Sequence, residues 1–166
     1  MKRILTLITA FTLVFTACEG PQGPPGFDGL NGVNFVGQSF ERTVDLVAPD
    51  YRAEIEIPLD IELFETDMVL VYHLLGVDND GFDIWRLLPD TVYTDNGLEF
   101  QYNFEHNFDF VDIFIEGPST LDLSTLLPGD TLDQTFRIVI LPVDFVNSVD
   151  LNLNDLNSVM NYVEVN

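Results

Sequence analysis

The chain has 166 residues, 46% of them hydrophobic and 12% aromatic, which is ample apolar material for one globular domain and argues against a disordered chain. Its 28 Asp and Glu outnumber 6 Lys and Arg, giving a formal net charge of -22. That charge excludes nucleic acid as a partner, because phosphate binding relies on clustered Lys and Arg, and the single cysteine excludes an internal disulfide and a multi-cysteine metal site.

Lys2 and Arg3 precede an apolar run from Ile4 to Phe15 that only Thr6, Thr9 and Thr12 interrupt. The run is shorter than the roughly 20 residues that span a bilayer, and a basic start, apolar middle and small-residue end are the parts of a signal peptide. Residues 1–17 are therefore predicted to be removed. The end reads Phe15-Thr16-Ala17-Cys18 and resembles the lipobox of bacterial lipoproteins, in which small residues precede a cysteine that is acylated and becomes the first residue. Cys18 is the predicted lipidation site. Several acyl chains buried at about 0.8 kcal/mol per CH₂ give a stable anchor. Loss of Lys2 and Arg3 leaves four arginines against 28 acids.

Residues 18–37 read as a stalk. Gly20, Gly23, Gly26, Gly29 and Gly32 recur every third position, as the crowded axis of a collagen triple helix requires. Only Gly-Pro-Gln and Gly-Pro-Pro among the triplets carry proline. A single-chain extended linker of about 45 Å is favoured over a homotrimer, which stays an alternative.

Residues 38–166 form the predicted domain. Glu41 to Ala48 and Arg52 to Pro58 flank Pro49-Asp50, and Ala53, Ile55 and Ile57 alternate with Arg52, Glu54 and Glu56, so the two runs read as a hairpin with one wet face. Asp67 to Gly76 is continuously apolar from Met68 to Tyr72 and predicts a central strand covered on both faces. Phe82 to Leu88, Gly97 to Asn103, Phe108 to Glu116 and Thr135 to Val143 complete about seven strands. The expected fold is all-β, an immunoglobulin-like antiparallel β-sandwich. Leu153, Leu156, Val159, Met160 and Val163 share one helical face and predict a short closing helix near 154–162, with a strand through Val149, Leu151 and Leu153 as the competing reading.

The lipobox, the Gly-X-Y triplets and the segments Gly81-Phe-Asp-Ile-Trp85-Arg-Leu-Leu-Pro89, Leu98-Glu-Phe-Gln-Tyr-Asn-Phe104 and Phe136-Arg-Ile-Val-Ile140 together resemble a group of surface lipoproteins of Gram-negative bacteria with a short collagen-like segment after the lipobox cysteine. The resemblance implies an exported protein, lipid-anchored in the envelope at the outer membrane or cell surface. It brings no catalytic residues.

Hydrolase elbows, zinc-protease motifs and phosphate loops are all missing from the sequence, so a non-catalytic module is expected, with a passive spacer or a carboxylate-dependent hydrolase as alternatives. His73 lies in the apolar central strand and His106 in a polar loop, and both read as structural. Trp85 is expected in the core, with a stacking platform for a sugar or peptide, helped by Arg86, as the sharper reading. Tyr72, Tyr93 and Tyr102 could contribute to such a platform. Asp78, Asp80 and Asp83 surround Gly81 and could supply oxygen ligands to calcium, although Asn79-Asp80-Gly81 is also ordinary turn chemistry. A monomer that binds a protein or glycan is the expected state.

Overall fold

A computed structural model describes residues 37–95, 97–146 and 151–165, all within one unit, Asn34–Asn166. Cys18, the signal peptide and the Gly-X-Y triplets lie outside the described residues. The chain runs through β1 (Gly37–Val44), β2 (Arg52–Glu56), β3 (Met68–Val77), β4 (Asp83–Leu87), β5 (Asp90–Tyr93), β6 (Glu99–His106) and β7 (Phe110–Glu116). A 3₁₀ turn (Leu123–Thr125) and helix α1 (Pro128–Thr131) lead into β8 (Gln134–Leu141). Helices α2 (Val143–Val146) and α3 (Leu156–Met160) and strand β9 (Val163–Val165) complete it.

The strands form two sheets, a five-stranded one in the order β4-β3-β8-β1-β9 and a four-stranded one in the order β2-β7-β6-β5. All ladders are antiparallel except β1 with β9. One core joins the sheets: Phe40, Val69, Val71, Phe136, Ile138 and Ile140 of the first meet Ile55, Phe100, Tyr102, Val111, Ile113 and Ile115 of the second. Alternate residues of a strand point to opposite faces, so Leu70, Tyr72, Val139 and Leu141 face outward from the first sheet. There Leu156 and Val159 of α3 bury them in a second cluster. This double cover explains why β3 is apolar at consecutive positions.

The predicted hairpin of residues 41–48 and 52–58 is corrected. β1 pairs with β8 and β9, whereas β2 pairs with β7 in the other sheet. The chain crosses between layers at Leu46, which is fully buried and whose N–H bonds to Thr131 O at 2.7 Å. The described residues hold nine strands rather than about seven. β5 was hidden behind Pro89, and β9 is only 3 residues long. Helix α3 falls within the predicted span, and residues 151–153 are not a strand.

Gly37 shows why glycine starts β1. A Cβ there would come within 2.5 Å of Leu141 and 3.0 Å of the Ile140 carbonyl, so a side chain would force apart the strands it joins.

Candidate binding surface

The β3–β4 hairpin extends beyond the sandwich. Every residue from Leu75 to Ile84 is exposed. The ladder register shifts between Leu74 and Gly76, so Leu75 has no partner of its own on β4. The turn itself is built by Asp78. Its carboxylate accepts the N–H groups of Asp80 and Phe82, each at 2.9 Å, while Gly81 takes a φ of 87° that other residues rarely adopt. Asp80 and Asp83 make no comparable bonds among the described residues, which include no cluster of three or more His, Cys, Asp or Glu able to hold a metal ion. The proposed calcium ligands Asp78, Asp80 and Asp83 thus lie on one turn, where Asp78 serves the backbone.

Four apolar side chains on this hairpin face water: Leu75 is 40% exposed, Val77 63%, Phe82 71% and Ile84 43%. Val77 pairs with Asp83 and Gly76 with Ile84, which puts Val77 and Ile84 on opposite faces. Neither face of the hairpin end is covered by the other sheet.

Trp85 lies next to it and is half-buried, on the outer face of the five-stranded sheet beside the second cluster. The Arg137 guanidinium stacks over its ring at 4.4 Å. Arg137 also donates to Glu41 through Nε at 2.8 Å and through a second, closer nitrogen, so Trp85 of β4, Arg137 of β8 and Glu41 of β1 form a row that passes over β3. Trp85 is neither a fully buried core residue nor an open platform. Arg86 is committed elsewhere: it donates to both oxygens of the buried Asp90 at 3.1 Å. The structure therefore separates Trp85 from Arg86 by function, since their partners lie on opposite faces of β4.

Behind the hairpin, a cleft of about 360 Å3 opens beside His73, Leu75, Gly76, Val92, Asp130 and Asp133. His73 is buried between Phe136, with ring centroids 4.8 Å apart, and Tyr102 at 4.6 Å. Gln134 donates its Nε2 to the carbonyls of Gly129 at 3.0 Å and Leu132 at 2.6 Å, which leaves Oε1 to accept from His73 Nε2 at 2.9 Å. The proton of neutral His73 is therefore on Nε2. Nδ1 is sealed from water and has no partner among the described residues. Burial lowers the imidazole pKa below 6.5; the Gln134 bond and Asp90 oppose this, and Arg86 adds to it. Tyr102 donates to Asp130 O at 2.6 Å, and burial followed by Asp130 and Asp90 raises its pKa far above the ordinary phenol value. Tyr72 donates to Leu153 O at 2.6 Å, and burial followed by Asp155 pushes it up to about 12. Tyr93 alone of the three is exposed, at 74%. His106 ends β6 in an exposed position. The turn was legible in the sequence, but the exposure of Leu75, Val77, Phe82 and Ile84 was not, because such apolar residues look like strand interior.

Comparison with protein-family models, curated proteins and solved structures finds no match to this chain.

Proposed function

We propose that the protein is a lipid-anchored component of a bacterial envelope, at the outer membrane or cell surface, whose β domain binds another protein or a glycan without catalysing a reaction. The anchor reading is supported by the basic start, the apolar run and Phe15-Thr16-Ala17-Cys18. The Gly-X-Y triplets act as a single-chain stalk, and the domain works as a monomer. Its two sheets around a shared core support an immunoglobulin-like sandwich in architecture, with loops and hairpins at the ends as the places for recognition.

The observation that carries the binding role is the β3–β4 hairpin, which holds Leu75, Val77, Phe82 and Ile84 in water. Clustered exposed apolar side chains rimmed by charge mark interaction sites on soluble domains. A passive spacer needs no such cluster. The test is a pull-down from detergent-solubilised envelope with the full-length protein and with Phe82→Ser/Ile84→Ser as bait. Selective retention by the first and its loss in the second is expected. Identical patterns for both baits would reduce the domain to a spacer or move recognition off this hairpin.

A further inference from the structure

Strand β4 is an edge of the five-stranded sheet, and its free backbone groups can be assigned. Leu88 N–H bonds to Val71 O at 2.8 Å, and Asp78 N–H to Phe82 O at 2.8 Å. In an antiparallel ladder alternate residues bond to the same neighbour, so Ile84 and Arg86, in step with Leu88, direct their N–H and C=O groups at β3, and Phe82 directs its C=O the same way, to Asp78. Asp83, Trp85 and Leu87 direct theirs away from it, and no bond to these outward groups is found among the described residues. Natural edges are usually blunted by charge, proline or brevity. β2, Arg-Ala-Glu-Ile-Glu, has three charges among its 5 residues, and the edges β5 and β9 have only 4 and 3 residues. β4 has Asp83 and Arg86 among its 5 residues but also carries Ile84, Trp85 and Leu87 beside the exposed apolar tip.

Charge decides what can pair there. The tip bears Asp78, Asp80 and Asp83 and no lysine or arginine. The nearest cation, Arg86, is held by Asp90. The domain's other arginines are also engaged internally: Arg42 on Phe40 and Glu41 O, Arg52 on Phe114, Asp112 and Glu105, and Arg137 on Trp85 and Glu41. A second copy of so acidic a surface would be repelled, and an acidic segment likewise.

We propose that the β4 edge receives an extended basic segment of another protein as an added strand. Outward N–H and C=O groups of Asp83, Trp85 and Leu87 pair with its backbone. Its apolar side chains rest on Val77, Phe82 or Ile84, and its lysines or arginines meet Asp78, Asp80 and Asp83. This is strand addition, in which the backbone supplies affinity and alternate side chains supply specificity. The proposal rests on the reading of the domain as a binding module and names the partner class.

The test measures fluorescence anisotropy of a short labelled peptide of alternating lysine and valine against the full-length protein. Binding is expected, weakened by salt, and at least about tenfold weaker for a peptide with glutamate in place of lysine. N-methylation of alternate peptide nitrogens should abolish it without touching the protein. Asp83→Pro removes an outward N–H at the first position of the strand, where proline is tolerated, and should weaken binding about tenfold. Asp83→Asn keeps the N–H and should cost only about twofold. Equal binding by the methylated or glutamate peptide, or by Asp83→Pro with an unchanged melting temperature, would overturn the proposal. So would a concentration-dependent dimer that Asp83→Pro dissolves, since that would make the occupant a second copy. If the peptide fails while the envelope pull-down still retains a ligand through Phe82 and Ile84, the strand mechanism falls and the binding role stands.

Discussion

The imidazole of His73 is packed between two aromatic rings with one nitrogen bonded to Gln134 and the other without a partner among the described residues. That arrangement suits the neutral ring and not the cation. The histidine is therefore neutral in both states above about pH 6.5, and its contribution to stability is fully present there. As pH falls below 6.5 the unfolded chain takes up a proton that the folded chain resists, so stability drops until the lower folded pKa is reached. Urea titrations from about pH 7.5 to 5.5 should show the wild type losing stability relative to His73→Phe as the pH falls. An identical slope in both proteins would place the titration elsewhere. The apolar run around His73 revealed its burial in the sequence, but Gln134 is 61 positions away and nothing local announces it. Asp78-Asn79-Asp80-Gly81 was more legible, because a carboxylate that caps its own turn needs only neighbours.

At the scale of elements, β3 could be read from its unbroken apolar sequence because it is covered twice, by the opposite sheet and by α3. β1 and β2 could not be assigned partners. Their alternation specifies one wet face each but says nothing about which sheet that face belongs to, and the layer change depends on the burial of Leu46. The hairpin was misleading for the opposite reason: Leu75, Val77, Phe82 and Ile84 carry the pattern of buried strand residues and are exposed. Helix α3 is only 5 residues long, too short to hold itself, so its place depends on Leu156 and Val159. Leu156→Ala should cost about 2–5 kcal/mol, read from the urea midpoint, and Met160→Ala, which is only half-buried, markedly less. Equal small effects would mean that the outer face of β3 and β8 does not depend on this cover.

The whole molecule combines a large acidic excess with a sandwich whose few arginines serve internal contacts. Such a surface resists non-specific adhesion to anionic lipid and nucleic acid, so charge would not hold this domain at an anionic membrane. Among the described residues no helix is long and apolar enough to cross a membrane. The most direct measurement is metabolic labelling with a palmitate analogue followed by detergent phase separation, in wild type and Cys18→Ala. Labelling and detergent partitioning of the wild type, with loss of both in the variant, is the expected result, and a variant that still labels would contradict the lipid anchor on Cys18.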